Sequence, residues 1–261
     1  MTKSTASPSK TVASAARMLA SPDQALVGAW PRPLVTVDLA IFSVHQSQLW
    51  VLLARRPGEA GTAATPDEPY PGRWALPGGI VDVAQDRSLE ACALRKLREK
   101  TGVAAPYLEQ LGSWGDADRD PRGWSATHVY FALIPWVESP SGASAESAWH
   151  PADAALRKRL AFDHGTLLAA ALERLRGKVE YTSLPAYLLP EPFTLPELQA
   201  AYEVVLGRPL DKSAFRKRML DGGFLVEAGR TDGAFGRAAM GYRIRERGLA
   251  AVFPRTFRSG E

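Results

Sequence analysis

Hydrophobic positions along the chain fall into blocks whose period changes, and each change marks an element. Val35–Val44 and Leu49–Ala54 are aliphatic, β-branched runs separated by the polar tetrapeptide His45–Gln48. They predict a strand hairpin with His45 as a turn residue. Leu76–Val103 reads as a glycine turn, a short loop and an amphipathic helix. Leu108–Trp114 and Thr127–Ile134 return to strand spacing, the second with Val129, Phe131 and Leu133 on one face. From Asp163 the period becomes helical: Leu167, Leu168, Ala171, Leu172 and Leu175 form one stripe, with His164 as a first-turn residue and not a ligand. Leu189-Pro-Glu-Pro-Phe193 is a proline-punctuated linker. Thr194 with Glu197 is a capping box for a helix that buries Leu198, Ala201, Tyr202 and Val205 and stops at Gly207. Asp211 caps a second helix, Lys212–Leu220, ended by Gly222-Gly223, with Phe215, Met219 and Leu220 inward. Phe224–Glu227 and Ala239–Ile244 are two more candidate strands.

The order of elements predicts a fold of two parts. Mixed strands around helices give an α/β (α+β) sandwich over residues 33–160, and residues 161–188 supply a connecting helix and linker. Helix, turn, helix and hairpin over residues 189–252 is the layout of a winged helix-turn-helix. Residues 1–30 read as a mobile tail with at most a short helix around Ala13–Leu19, and residues 253–261 as a second tail. Pro57–Pro71, Gly115–Trp124 and Glu138–Ser147 read as loops.

Composition narrows the setting. A chain of 261 residues, 46% of them hydrophobic, is able to bury a core. Its single cysteine, Cys92, lies in the helical pattern as a small buried residue and allows no intrachain disulfide, so a reducing cytoplasm is the expected compartment. No apolar run approaches the roughly 18 residues needed to span a membrane. The formal charge is only +4, but residues 206–260 hold twelve cations against five anions, leaving the remainder at −3. The basic excess is C-terminal and points to an acidic partner there.

The segment Leu76-Pro-Gly-Gly79 followed by Arg95-Lys-Leu-Arg-Glu-Lys100 resembles the Nudix box, the loop–helix–loop with which a hydrolase family grips a magnesium-bound diphosphate. In that box the helix carries Arg-Glu, two further residues and then Glu-Glu, so that three carboxylates share one face. Here Lys96 and Lys100 stand where two of them belong, and Glu99 alone remains. Gly79 and Arg95 are sixteen residues apart, a longer interval than the box allows, and only Asp86 partly replaces its first glutamate. Two cations at a cation site oppose metal binding by a few kcal/mol each, to order of magnitude (~). No resident metal or cofactor and no catalytic residue are therefore expected. The ammonium groups are expected to meet a diphosphate directly, binding without cutting. The alternative reading is a nucleoside-diphosphate hydrolase using Glu99 with Asp86 or Glu90.

Three further stretches extend the resemblance. Arg119-Asp-Pro-Arg122, Leu160-Ala-Phe-Asp-His164, and Phe193-Thr-Leu-Pro-Glu-Leu-Gln199 with Leu210-Asp-Lys-Ser-Ala-Phe-Arg-Lys217 are similar to the Nudix-related transcriptional regulators of NAD metabolism over roughly residues 35–245. The resemblance implies a homodimer whose winged domains bind a palindromic double-stranded DNA operator, and a Nudix-like domain that senses ADP-ribose or a related NAD-derived nucleotide. The segment Gly233–Tyr242 departs from any clear family pattern. The candidate ligand residues are Arg55, Trp74, Gly78, Gly79, Arg95, Lys96, Glu99, Lys100, Arg119, Asp120 and Arg122. The candidate DNA contacts are Lys212, Ser213, Arg216, Lys217, Arg218, Arg230 and Arg237, because the second helix of such a motif enters the major groove and flanking cations meet phosphates.

Overall fold

A computed structural model describes residues 32–58, 68–103, 107–138, 147–232 and 238–257. The expected N-terminal tail, most of the Pro57–Pro71 and Glu138–Ser147 loops, and Arg237 lie outside those residues. The described residues from Leu34 onward belong to one compact unit.

The expected hairpin is present as β1 (Leu34–His45) and β2 (Gln48–Arg55), paired from Phe42 with Val51 to His45 with Gln48. Its turn is only Gln46-Ser47, both at positive φ (48° and 57°), the geometry whose twist matches that of paired strands. His45 does more than turn: its ring stacks on Trp136 at 4.2 Å. β3 (Trp74–Ala75) and β7 (Ser147–Pro151) pair with β2, and β5 (Tyr107–Asp116) pairs with β6 (Ser125–Leu133), which runs parallel to β1. The glycine pair at 78–79 was expected to be a turn and is a strand, β4 (Gly78–Ile80), with Asp38 opposite Gly78 and Val37 opposite Gly79. Missing side chains explain the pairing. A Cβ at Gly78 would fall 2.2 Å from Asp38 Oδ1 and 2.4 Å from the Val37 carbonyl, so only glycine lets these backbones meet.

Side chains alternate across β1, and the alternation assigns each helix its face. Val37, Leu39 and Ile41 pack with Cys92, Ala93 and Leu97 of α1 (Leu89–Thr101). Ser88 starts this helix by accepting a hydrogen bond from the Ala91 amide, and Gly102 at φ 71° closes it. Ala40 and Phe42 face the other way, onto Leu167, Leu168, Ala171, Leu172 and Leu175 of α3 (His164–Val179), which follows the short α2 (Ala152–Leu156). The sheet is thus covered on both faces.

The C-terminal part shares that second core. A 3-10 turn (Leu184–Leu188) and β8 (Phe193–Thr194) lead into α4 (Leu195–Leu206) and α5 (Lys212–Asp221), followed by β9 (Leu225–Asp232) and β10 (Ala238–Ile244) in a sheet ordered β8-β10-β9. Phe193, Leu198, Tyr202, Phe215 and Met219 belong to the same apolar cluster as Phe131 and Leu172. The end of the expected connecting helix and linker is packed into this core: all five residues of the 3-10 turn are buried. Two further expectations are corrected. Leu220 is 43% exposed, because it lies five positions from Phe215 and one from Met219, outside the 3.6-residue stripe they define. Residues 253–257 are not a tail: the Phe253 amide donates to Tyr181 O at 2.7 Å and the Phe257 amide to Glu180 O at 3.0 Å.

Candidate functional site

On the α3 side of the sheet the apolar rows end abruptly. Along β1, Phe42 and Ala40 give way to Asp38 and Thr36; along β6, Leu133, Phe131 and Val129 give way to Thr127 and Ser125, all four polar residues buried. Thr36 and Asp38 border a cleft of about 260 Å³. Its other walls are Leu76 and Gly78–Ile80, Arg56 beyond β2, Arg119, Asp120 and Arg122 from the loop before β6, and Phe162 and His164 at the start of α3.

Asp38 is the hub of the cleft floor. Thr127 Oγ1 donates to its Oδ2 at 2.7 Å, while Arg119 Nη2 and His164 Nε2 each stand 3.7 Å from the same oxygen. His164 Nδ1 accepts the Leu76 amide at 2.9 Å, which leaves the ring proton on Nε2, facing Asp38. Burial holds this imidazole below the usual histidine range, against the pull of Asp38 and Asp163, so it is a neutral donor. Arg119, only 4% exposed, reaches Asp163 through Nε (3.1 Å) and Nη2 (2.9 Å) and Ser125 Oγ through Nη1 (3.1 Å). Arg122 grips Asp120 at 3.0 and 2.8 Å. Burial opposes ionisation of Asp120, but the side-chain and backbone bonds from Arg122 outweigh it and keep the carboxyl below its usual range. Arg56 pairs with Glu68 and lies over the Phe162 ring at 4.8 Å. Each arginine of the cleft thus already carries a carboxylate partner. Guanidinium forks suit phosphate oxygens, and a buried carboxylate beside an imidazole N–H suits hydroxyls.

The sequence-predicted ligand residues divide. Gly78, Gly79, Arg119, Asp120 and Arg122 come together in the cleft. Arg55, Trp74, Arg95, Lys96, Glu99 and Lys100 lie outside its lining. Arg55 Nε donates to Gly72 O at 3.1 Å, and Trp74 meets His150 edge-on at 4.7 Å. Arg95 is held between Asp86 at 2.7 Å and Glu99 at 3.0 Å, and its bonds hold the Asp86 carboxyl far below the usual range. Lys96 Nζ comes 3.1 Å from the position of a Gly79 Cβ, behind the wall and not in it. The cause is strand alternation: α1 packs on the Val37, Leu39, Ile41 face of β1, and the cleft opens on the Thr36, Asp38 face. Sequence reasoning missed Thr36, Asp38, Arg56, Phe162 and His164. An acid inside the aliphatic run Leu34–Val44 was the available signal for Asp38. His164 is a first-turn residue, as expected, but it also lines the cleft.

In the C-terminal part, the Thr194–Glu197 capping box and the Asp211 cap, which accepts the Ala214 amide at 2.7 Å, fix the two helices. Tyr202 and Phe215 meet edge-to-face at 5.2 Å between them. This leaves Lys212, Ser213, Arg216 and Lys217 exposed on α5. Lys217 pairs with Asp221 at 2.6 Å, both largely exposed. Arg218 is a correction: its guanidinium lies over Phe257 at 4.0 Å and donates to Thr256 O at 2.8 Å, so it clamps the C-terminal segment instead of facing outward. Arg230 Nη2 donates to Ala238 O across the hairpin at 3.2 Å.

Comparison with known proteins separates the two parts and then joins them. Residues 32–171 match the profile described as the NUDIX domain, and residues 185–244 the profile described as the NrtR DNA-binding winged helix domain. Over 228 residues the chain is 48% identical to the "ADPR responsive transcriptional repressor NtrR" of Acinetobacter baylyi, covering 87% of this chain and 88% of that protein. The chain belongs to the NrtR family. Among solved structures of that family, Shewanella oneidensis NrtR complexed with a 27mer DNA superposes with a TM-score of 0.76 at 38% identity, covering 86% of this chain and 99% of that one. The Nudix domain of Shewanella oneidensis NrtR complexed with ADP ribose is 40% identical, with a TM-score of 0.51, over 59% of this chain and 99% of that one. The expected Nudix-like sandwich followed by a winged helix domain is thus the fold of an NrtR family member.

A Nudix ancestry implies a magnesium site, and the residues of this NrtR family chain do not fit one. Magnesium takes near-octahedral oxygen ligands. Asp86 and Glu99 are both engaged by Arg95, and Lys96 brings a cation to Gly79. Among the described residues no group of three or more His, Cys, Asp or Glu side chains is placed to hold a metal.

Proposed function

We propose that this chain is a DNA-binding transcriptional repressor of NAD-related genes, whose Nudix domain binds ADP-ribose or a related NAD-derived nucleotide without hydrolysing it. It acts in the cytoplasm as a homodimer on a palindromic operator. The reading rests on one juxtaposition: an arginine-lined cleft with a carboxylate hub shares a continuous core with a capped helix-turn-helix whose second helix exposes Lys212, Ser213, Arg216 and Lys217. Arg56, Arg119 and Arg122 supply forks for a diphosphate, and Asp38 with His164 Nε2–H supplies partners for ribose hydroxyls. The relatives support it, one being described as responsive to ADPR and another being solved with DNA. In a dimer, two second helices would address adjacent turns of the major groove, and a bound nucleotide would favour one arrangement of the winged domains over another. Loss of the helix carboxylates at positions 96 and 100, with Arg95 engaging Asp86 and Glu99, supports binding over cleavage.

Duplexes tiling the upstream regions of NAD-synthesis genes test the proposal. Binding should weaken steeply with salt, since phosphate contacts release counterions, and ADP-ribose should lower the affinity. An operator complex indifferent to every NAD-derived nucleotide would remove the effector half. Hydrolase activity is checked separately by incubation with ADP-ribose and Mg²⁺ or Mn²⁺. Turnover that disappears in Glu99→Gln would make the chain an enzyme.

A further inference from the structure

Helix α3 begins in the cleft and ends in the winged part. His164 of its first turn lines the cleft, and its sixteen residues rise about 24 Å. Just past its far end, Glu180 pairs with Arg208 at 2.8 Å, the Tyr181 carbonyl accepts the Phe253 amide at 2.7 Å, and the Thr182 carbonyl accepts Tyr202 Oη at 2.7 Å. The helix is therefore fastened to the nucleotide cleft at one end and to the helix-turn-helix core at the other.

Its near end is held in an unusual way. Asp163 occupies the position that precedes the helix, where an aspartate side chain ordinarily accepts an amide of the first turn. It makes no such bond, and its backbone, at φ −91° and ψ 13°, lies outside the extended geometry that capping favours. Both carboxylate oxygens instead bind Arg119, and Phe162 just before it is at φ 50°, in the left-handed region. The carboxylate partners of Arg56 and Arg122, Glu68 and Asp120, sit in wall loops, so exchanging them for phosphate has a local effect. Among the described residues, Arg119–Asp163 is the ion pair that joins a cleft arginine to the connecting helix.

We propose that this pair is the switch between the two sites: an anionic group of the bound nucleotide takes the guanidinium of Arg119 from Asp163, the freed carboxylate caps α3, and the helix re-aims the winged domain. The proposal rests on the reading that the cleft binds an NAD-derived nucleotide. Asp163 has two alternative partners, Arg119 or the amides of its own helix, and the second requires rotation of the backbone at residues 162–163. That rotation gives the coupling a discrete two-state element.

The test uses full-length protein in metal-free buffer, with ADP-ribose affinity measured by calorimetry and operator affinity by fluorescence anisotropy. Asp163→Asn and Asp163→Ser keep a capping side chain and discard the charge that competes for Arg119. Both should bind ADP-ribose roughly tenfold tighter and the operator roughly tenfold more weakly without ligand, within the usual range of coupling between sites. Asp153→Asn, which breaks the exposed Arg176 pair at 3.0 Å, should behave as wild type. Where the wild type binds ADP-ribose, binding no tighter than wild type in both Asp163 variants overturns the switch, since a merely structural role would lower affinity for both ligands. Wild-type operator affinity in both variants overturns it equally. Weakened operator binding by the variants, in a protein whose wild type ignores ADP-ribose, would support the Asp163 pin and reject the effector assignment.

Discussion

Replacing Gly78 by alanine adds one methyl group at the tightest approach in the molecule. The new Cβ would stand 2.2 Å from Asp38 Oδ1, 2.4 Å from the Val37 carbonyl and 3.0 Å from Asp38 Cα. Two of these are backbone atoms of β1, which is bonded to β2, β4 and β6 and cannot retreat. The strand that moves is β4, and it carries Gly78, Gly79 and Ile80 out of the cleft wall. Overpacking of this kind costs about 1–3 kcal/mol. For a chain of this size each kcal/mol shifts melting by about 2–4 °C, so the midpoint should fall by roughly 2–12 °C. Nucleotide affinity should fall at least tenfold, to order of magnitude (~), because the β4 wall shifts and the Asp38 carboxylate must rotate away from the added methyl. Differential scanning fluorimetry and calorimetric titration with ADP-ribose measure the two effects. Gly177→Ala is the matched control: it lies inside α3 with nothing within 4 Å of its added Cβ, and it should stabilise by about 0.5–1 kcal/mol. If Gly78→Ala melts with wild-type protein and binds ADP-ribose equally well, the close contact between β1 and β4 is not what shapes the cleft.

Three other outcomes follow from the geometry. Burial, with Asp86 adding to it, pushes the Cys92 thiol up to about 11, so aromatic disulfide reagents at neutral pH should leave it unmodified until the protein unfolds. His164 is depressed by burial while the unfolded chain titrates near 6.5, so the unfolded state binds more protons just below that pH; the stability is full above about pH 6.5 and declines as pH falls. Urea unfolding at about pH 7.5 and about pH 5.5 should therefore show a smaller difference in His164→Gln, whose amide oxygen still accepts the Leu76 N–H; an equal difference would assign the acid sensitivity elsewhere. On α5, Arg216→Ala should weaken operator binding and reduce the salt slope by about one, whereas Arg218→Ala should lower the melting temperature and leave the slope unchanged. A slope change in Arg218→Ala would return that residue to the DNA-facing set.

Local signals in the chain were read with little loss. The Thr194–Glu197 capping box, the Asp211 cap and the Gly207 stop appear where the spacing put them, because caps involve residues only a few positions apart. The hairpin of β1 and β2 was equally legible. The box helix was legible too, but it packs on the Val37, Leu39, Ile41 face of β1, which leaves its charged residues outside the cleft lining. Lys96 and Lys100 inherit a family position, but their place relative to a ligand depends on which face of β1 the helix covers. Gly78 and Gly79 read as a turn because glycine pairs usually punctuate elements, and only the partner strand shows that they are needed for close approach. Arg218 looked like its exposed neighbours until residues 253–257 packed beneath it.

The sequence by itself determined the two-part order of elements, the capped helix-turn-helix, the loss of carboxylates at positions 96 and 100, and the C-terminal basic excess. These are properties of spacing and charge, carried by neighbouring residues. Tertiary structure decided which of the candidate ligand residues share the cleft and which unforeseen residues join them. Asp38, Arg56, Arg119 and His164 come from four separate stretches, and burial brings them together. It also decided that α3 joins the cleft to the winged part, because that depends on the Asp163–Arg119 pair 44 positions apart and on a core shared by both. No local pattern encodes such contacts, since their energy is gained only when distant segments leave water together.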